Sequence, residues 1–173
     1  MFQERKGGMK PNAAGGINAA MDPNDWHNAL RDISRLLIAY FLALPVGWYR
    51  ETEAHSVGVR TFPLVAMASC GYVLLSLAPA HMTPEGQSRI IQGMVAGIGF
   101  IGGGAILKSQ GSIHGTATAA SIWNTGVLGA AVAQDRLFLA ITLSALNLFA
   151  LRVLLPLKQK LDHAPSQFPD EKK

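Results

Sequence analysis

Charged side chains are absent from three long stretches of this chain. No Asp, Glu, Lys or Arg occurs in 61–84, 90–107 or 109–134. Charged residues make up 15% of the 173 residues, whereas soluble domains contain about 25%. Because charge is costly inside a bilayer, uncharged stretches of this length argue against an ordinary soluble domain and predict an integral membrane protein.

Cysteine is almost absent as well. The single Cys70 excludes an internal disulfide and a metal site built from several cysteines. The histidines are isolated in tails and loops, and no pair has the i, i+4 spacing of a zinc-binding helix, so we expect no metal. No serine lies in the setting of a hydrolase triad, and no basic stripe carries interleaved aromatics that would bind nucleic acid. The sequence therefore predicts no cofactor, no nucleic-acid partner and no enzymatic activity.

The stretch from Arg89 to Lys108 combines apolar residues with many glycines. Between these two cations lie 18 uncharged residues, of which six are glycine. A helix of that length measures about 27 Å, close to the hydrocarbon thickness of a bilayer. Glycine allows membrane helices to approach closely, and both 93–97 and 99–103 have the GxxxG spacing. This stretch predicts a membrane helix that packs tightly against other helices.

The same glycines match the dinucleotide-binding pattern GxGxxG. Gly97, Gly99 and Gly102 satisfy it. The motif has that meaning only after a strand, at the start of a helix, with an acidic residue about 20 positions later. No Asp or Glu occurs between Glu85 and Asp135, so we reject nucleotide binding.

Five apolar segments organise the chain. Residues 1–30 form a polar tail that we expect to be disordered, apart from a short amphipathic lead-in that Asp25 would cap, and 158–173 form a second polar tail. The start of the chain has no apolar core behind basic residues, so we expect the first span to act as the targeting signal. The predicted transmembrane domain is 31–157, with spans at 33–49, 61–80, 90–107, 116–134 and 137–157. The predicted fold is all-α, a polytopic membrane bundle of about five helices with a glycine-rich third helix.

An odd number of spans places the two termini on opposite sides of the membrane. The basic residues near the span ends divide between the two sides. One side carries Arg50, Arg60, Lys108, Lys158 and Lys160, and the other carries Arg31, Arg35, Arg89 and Arg136. Because cytoplasmic loops are enriched in Lys and Arg, this distribution favours a cytoplasmic C-terminus.

Charged residues gather where the first span ends and the second begins. Arg50 and Glu51 end one span, and Arg60 and Thr61 begin the next. Together with Arg89 they form a candidate polar cluster that would bind an ion or a partner. The alternative is an ordinary interfacial salt bridge, since exposed ion pairs are common and contribute little to stability.

Span 4 is built largely of small and hydroxyl-bearing residues. Thr118, Ser121 and Asn124 follow one another at a spacing of three, so they give the helix a polar face. That face would either line a water-filled path or hold helices together through hydrogen bonds, and Asn147 would pair with Asn124. The candidate packing or partner face comprises Gly93, Gly97, Gly99, Gly102, Gly103, Gly104, Thr116, Thr118, Ser121, Trp123 and Asn124.

Several segments of the chain carry a recognisable family pattern. They are VGWYRE at 46–51, GVRT at 58–61, RI at 89–90, GIGFIGGGAIL at 97–107 and GTATAASIW at 115–123. In order and spacing they resemble the MgtC/SapB family of bacterial membrane proteins over about residues 31–157. Three positions depart from that pattern. Trp48 and Tyr49 replace the Leu and first Glu of a GLERE motif, and Phe62 replaces a common His.

The resemblance implies a multi-pass protein of the bacterial cytoplasmic (inner) membrane. It implies a link to growth at low magnesium and, in pathogens, to virulence through survival inside host cells. Members of this family are regarded as regulators that bind other membrane proteins, including the F-type ATP synthase. Two alternatives for the present chain stay open, namely that it forms a homo-oligomer and that it is a structural scaffold. Longer members carry an ACT-like soluble domain after the spans. The present chain ends at Lys173, so nothing known of that domain is carried over.

The family's name equally suggests a transporter or channel for magnesium or another small ion. Magnesium prefers carboxylate and water oxygens, and transport paths usually contain ionisable groups within the membrane. Spans 2 to 5 hold no acidic residue, and Glu51 and Glu53 are at best interfacial. The residues therefore favour the regulator, although a pore lined by backbone carbonyls at the glycine run stays open.

Overall fold

The computed structural model of the chain describes residues 23–54, 58–77, 83–109 and 112–154, and these residues are mostly helical. The helices are α1 (Pro23–Ala54), α2 (Thr61–Leu77), α3 (Pro84–Gly104), α4 (Thr116–Ala133) and α5 (Leu137–Phe149), and a π-helical turn, Ala150–Leu154, continues α5. A short antiparallel hairpin of β1 (Leu107–Ser109) and β2 (Ser112–His114) joins α3 to α4. The predicted all-α fold class is confirmed.

The helix boundaries differ from the predicted spans most at the starts of two helices, and α3 also ends at Gly104, whereas the predicted span continued to Leu107, which lies in β1. The amphipathic lead-in is continuous with the first span, so α1 begins at Pro23, inside the tail expected to be disordered, and runs through Glu51. Helix α3 begins at Pro84 because Thr83 caps it: the Thr83 hydroxyl accepts a hydrogen bond from Gly86 N at 3.1 Å. The parts of the predicted tails in 1–22 and 155–173 lie outside the described residues.

The loop expected between spans 3 and 4 contains regular structure. In the hairpin Leu107 pairs with His114, and Lys108 pairs with Ile113. A two-stranded ladder satisfies backbone groups that a loop would leave to water. The next residue, Gly115, has φ of 86° where α4 begins, a left-handed conformation that glycine adopts without strain.

Helix α4 is the centre of the bundle, and it packs against all four other helices. Its contact with α2 depends on Gly129: a methyl group there would lie 2.9 Å from the carbonyl carbon of Ala66. Real side chains do not make contacts that short, so glycine allows the two backbones to approach. The largest fully buried side chains of the described core come from α1, α2 and α4 and include Val46, Phe62, Val73, Ile122, Leu128 and Val132.

The helices alternate in direction, so the bundle has two ends. At one end, Arg50 of α1 lies beside Thr118 of α4, and Tyr49 lies beside Leu151. We call this the Arg50 end. At the opposite end, which we call the Arg35 end, Arg35 of α1 pairs with Asp135, the residue between α4 and α5.

The pair at the Arg35 end is bidentate. The Nε atom of Arg35 donates to Oδ1 of Asp135 at 3.0 Å, and a second guanidinium nitrogen donates to Oδ2. Asp135 has φ of 58°, a left-handed conformation that aspartate adopts more readily than most residues. Asp32 lies 3.8 Å from the same guanidinium. This pair therefore joins the first half of α1 to the α4–α5 connection.

One stretch within the described helices, Leu137–Leu154, is long and apolar enough to cross a membrane by length and composition. Helix α2 is apolar but shorter. Large apolar side chains are nonetheless exposed on the outer surface of other helices as well, including Trp48 and Phe100. The polytopic arrangement of about five spans stays a prediction.

Candidate functional site

Arg50 is a buried charge at the Arg50 end of the bundle. The residue is 5% exposed, and its guanidinium donates a hydrogen bond to the hydroxyl oxygen of Thr118 in the first turn of α4. A guanidinium removed from water must be compensated by hydrogen bonds. Thr118 contributes one of them and connects α1 to the central helix. The sequence placed these two residues in separate candidate sets, and the structure brings them together.

Glu51, near the end of α1, forms a hydrogen bond to the segment that precedes α2. Its Oε2 atom accepts a hydrogen bond from the backbone N–H of Val59 at 3.1 Å. The two segments approach closely, since a methyl group on Gly47 would lie 3.1 Å from the carbonyl oxygen of Gly58. These two glycines stand in the family-like segments, which was the sequence signal available for them. Residues 55–57 lie outside the described residues.

Four of the five residues predicted to form the polar cluster lie at the Arg50 end. Arg60 is exposed, and within the described residues it forms no ion pair. Thr61 is half-buried at the start of α2. Arg89 is the exception, because α3 runs about 20 Å from it to Gly102, and it is Gly102 that contacts the first turn of α4 at Ala119. Arg89 therefore belongs to the Arg35 end, and the expected cluster of five is corrected to four.

Two residues of the Arg50 end that the candidate cluster did not include, Tyr49 and Arg152, contact each other. The guanidinium of Arg152 lies over the ring of Tyr49, 5.8 Å from its centroid, which is within cation–π range. The Tyr49 hydroxyl donates to the carbonyl oxygen of Leu151 at 3.4 Å. Both contacts come from the π-helical turn after α5, a feature that is frequent at functional sites. The sequence signal that could have pointed to Arg152 was its position as a lone charged residue within span 5.

The polar face of α4 makes hydrogen bonds to α5. Ser121 Oγ donates to Asn147 Oδ1 at 2.9 Å, and Asn147 Nδ2 donates to the Ser121 carbonyl oxygen at 3.4 Å. Asn124 Nδ2 donates to the carbonyl oxygen of Leu143 at 3.3 Å. Asn147 thus pairs with Ser121 rather than with Asn124 as expected. These contacts agree with interhelical hydrogen bonding rather than a water-filled path at Ser121 and Asn124.

Two members of the candidate face on α4 lie at its surface. Thr116 is exposed in the first turn of the helix, and Trp123 is 49% exposed. Trp123 is therefore only about half covered by the rest of the described bundle.

Most glycines of α3 are not in a position where a side chain would meet another described helix. Gly102 is in such a position, since a methyl group there would lie 3.3 Å from the carbonyl oxygen of Ala119. At five further positions a methyl group would meet no described atom within 4 Å, and these are Gly93, Gly97, Gly99, Gly103 and Gly104. Among these glycines, close packing within the described chain is therefore limited to Gly102, although Ile98 of α3 also packs against α4, where a methyl group on Gly126 would lie 3.3 Å from Ile98 Cγ1. The physical reason is that the other glycines lie on faces of α3 that α4 does not cover, namely the side of the helix towards α2 and the outer surface.

The two GxxxG pairs of α3 lie on different faces. Gly99 follows Gly97 by two residues, which is a rotation of about 200° around the helix. The pair at 93 and 97 lines a groove of about 780 Å³ between α2 and α3, which we call the α2–α3 groove. The pair at 99 and 103 is exposed. It forms a stripe with two exposed residues one and two turns earlier, and we call this stripe, Gln92, Ala96, Gly99 and Gly103, the outer glycine face.

The described residues contain no group of three or more His, Cys, Asp or Glu side chains that would hold a metal ion. His55, His81 and His163 lie outside those residues. The expectation that the chain binds no metal stays a prediction.

Comparison with known proteins gives one family and several curated relatives. A model described as "MgtC family" matches residues 36–160. The putative magnesium transporter YhiD of Escherichia coli (strain K12) is 33% identical over 128 residues, which are 70% of this chain and 59% of that protein. Protein MgtC of Salmonella typhimurium (strain LT2) is 28% identical over 141 residues, which are 82% of this chain and 60% of that protein.

A third relative is the uncharacterized protein slr0014 of Synechocystis. It is 32% identical over 141 residues, which are 82% of this chain and 58% of that protein. The chain therefore spans about three fifths of the length of the curated relatives it matches. No solved structure matches the chain.

Proposed function

The chain belongs to the MgtC family, and from this premise we propose that it is a multi-pass regulatory protein of the bacterial cytoplasmic membrane with a role in magnesium homeostasis. It is not an enzyme and acts by binding another membrane protein, with the F-type ATP synthase as the candidate partner. The name of the Escherichia coli relative, a putative magnesium transporter, supports the link to magnesium. A role in virulence belongs to the same proposal.

The outer surface of the bundle supports its placement in a membrane. Phe41, Phe100 and Phe138 on three different helices are 61%, 84% and 85% exposed. In water such rings would favour aggregation, whereas in lipid they are solvated. The described charged side chains lie towards the two ends of the bundle, as a bilayer requires. The C-terminus lies on the cytoplasmic side, because the basic residues are more numerous at the Arg50 end of the predicted topology.

The exposure of the outer glycine face is the observation that best supports the regulatory role. Gly99 and Gly103 are exposed one turn apart, and no described atom lies within 4 Å of where their side chains would begin. Association of helices in lipid depends on close backbone packing, for which small residues are required. Gln92 adds an amide that can hydrogen-bond across such a contact. The face therefore suits a helix of a partner protein, and a second copy of this chain is the alternative occupant.

Transport of magnesium or another small ion is the second candidate function, and the relative named a putative magnesium transporter favours it. Magnesium sites use carboxylate oxygens and retained water. The described acidic side chains, Asp32, Glu51, Glu85 and Asp135, all lie towards the ends of the bundle. The geometry of the described residues thus offers no carboxylate at mid-depth, and it favours the regulator.

The proposal is tested with inverted membrane vesicles prepared with and without the protein. Proton pumping is measured twice, driven once by ATP and once by respiration. We expect ATP-driven pumping to fall while respiration-driven pumping is unchanged, because only the ATP synthase would be bound. Loss of both activities would indicate a leak and support a channel. If neither changed, the ATP synthase would be rejected as the partner, and magnesium flux into liposomes would be measured next.

A further inference from the structure

The α2–α3 groove is a separate feature that the regulatory role leaves unused. Its volume of about 780 Å³ lies within the range of about 300–1,000 Å³ that is common for ligand pockets. Both walls are mostly apolar, with Leu64 and Ala68 on α2 and Met94 and Ile101 on α3. Gly93 and Gly97 keep the groove open, because no described atom lies within 4 Å of where their side chains would begin.

Arg89 gives the groove a charged mouth at the Arg35 end. Gln87 fixes this end of α3 against α2, since its Nε2 atom donates to the carbonyl oxygen of Ser76 at 2.8 Å. Arg89 is exposed and forms no ion pair with any described residue, although Glu85 lies one turn before it. Tyr72, which is 55% exposed, lines the groove from α2. A cation that forms no ion pair with a described residue therefore lies at the open end of an apolar groove.

The length of the groove matches half of a bilayer. From Arg89 to Ile101 helix α3 rises about 18 Å, and each leaflet contributes about 15 Å of hydrocarbon. An arginine near the end of a membrane helix reaches the headgroup layer. A molecule with an anionic head and a long apolar chain fits this combination, whereas a compact soluble ligand would leave most of the apolar wall uncovered.

We propose that the α2–α3 groove binds a phospholipid with an anionic headgroup. The phosphate oxygens accept hydrogen bonds from Arg89, whose planar guanidinium suits two-point contact with phosphate. One acyl chain lies along Gly93 and Gly97. A zwitterionic lipid binds more weakly, because its own cation would lie beside the arginine. This site rests on the membrane placement proposed above and is independent of the partner at the outer glycine face.

The test uses the full chain, extracted from membranes in mild detergent and stripped of lipid. It is incubated with phosphatidylglycerol, with phosphatidylcholine of the same acyl chains, or with inorganic phosphate, and bound molecules are counted by native mass spectrometry. We expect one phosphatidylglycerol per chain, bound about tenfold more tightly than phosphatidylcholine, which corresponds to about 1.4 kcal/mol. Inorganic phosphate alone should not be retained.

Three variants and one control complete the test. Arg89→Gln should reduce phosphatidylglycerol binding to the level of phosphatidylcholine, and Arg89→Lys should restore part of the difference. Gly97→Leu should reduce binding of both lipids, because its side chain would occupy the groove. Arg136→Gln is the matched control. It removes an exposed arginine at the same end of the bundle that does not line the groove, and lipid binding should not change.

Four results would overturn the lipid site. Two concern the lipids: wild-type protein retains phosphatidylglycerol and phosphatidylcholine equally, or Arg89→Gln keeps the wild-type preference for phosphatidylglycerol. The third is that the protein retains inorganic phosphate alone. The fourth is that the protein is a lipid-free dimer and that Gly97→Leu converts it to a monomer. The last would make a second copy the occupant. Carbonate washing of membranes separates this failure from failure of the membrane placement. A protein that is washed off refutes both, whereas a protein that stays but lacks lipid selectivity refutes only the lipid site.

Discussion

Arg50 at the end of α1 donates a hydrogen bond to the Thr118 hydroxyl at the start of α4, although 68 residues separate them in the chain. Both residues are almost fully buried. The bond joins the α1–α2 connection, where Glu51 holds Val59, to the helix that contacts all the others. A change at this end of the bundle would therefore reach the central helix directly.

Removal of the Thr118 hydroxyl should destabilise the protein. In Thr118→Val the methyl group that replaces the hydroxyl cannot accept the hydrogen bond, so Arg50 loses one compensating contact. We expect a loss of about 1.5–3 kcal/mol, the usual range for a hydrogen bond to a charged group. Unfolding in detergent measures it. Thr118→Ser should keep most of the stability, and Thr116→Val, at an exposed threonine of the same helix turn, is the control. Equal stability of Thr118→Val and wild type would mean that other contacts alone hold Arg50.

Arg60 should matter for function and not for folding. It is exposed and forms no ion pair within the described residues, so Arg60→Ala removes no ion pair that the structure describes. We expect the variant to insert in normal amounts and to lose its effect on ATP-driven proton pumping. Immunoblots of washed membranes and the pumping assay measure the two properties. Arg31→Ala, at an exposed arginine of the opposite end, should retain the effect. Loss of Arg60→Ala from the membrane would show a structural role instead.

Larger side chains on the outer glycine face should leave the isolated protein folded but should prevent it from binding its partner. Gly99→Leu or Gly103→Leu adds a side chain at a position where no described atom lies within 4 Å of its first carbon, so the fold should stay intact. Close approach of another helix would be blocked, and we expect loss of the effect on ATP-driven pumping. Gly104→Leu is a control because its position is also open but lies about 140° around the helix from Gly99. Full activity of both Gly99→Leu and Gly103→Leu would rule out this face as the partner site.

Substitution of Gly129 should have the opposite effect, because it should destabilise the fold itself. A methyl group there would lie 2.9 Å from the carbonyl carbon of Ala66, so Gly129→Ala must push α2 and α4 apart. Overpacking of this kind costs about 1–3 kcal/mol, which a shift of the thermal unfolding midpoint in detergent would report. Gly93→Ala, in open space on α3, should unfold at nearly the wild-type temperature. Similar midpoints for the two variants would contradict the close contact between α2 and α4.

Local features of the sequence were sufficient to predict the helices. Uncharged stretches bounded by charged residues gave the approximate positions of α2 and α4, because apolar content is a property of the segment itself. The start of α3 was missed since its first turn, held by the Thr83 cap, is polar. The hairpin between α3 and α4 was missed as well, because its composition is that of a loop.

The sequence by itself determined the all-α fold, the glycine content of α3 and the residue types at each end, since all of these follow from composition and spacing. Only the tertiary structure decided which glycines make contact. The pairs at 93–97 and 99–103 have the same GxxxG spacing, yet a methyl group on any of the four would meet no described atom within 4 Å, whereas one on Gly129 of α4 would lie 2.9 Å from the carbonyl carbon of Ala66. Spacing specifies a face of a helix, but the arrangement of the neighbouring helices decides what that face meets. The separation of Arg89 from Arg50 had already followed from the predicted topology, which placed them on opposite sides of the membrane, and the direction of α3 in the structure agrees with it.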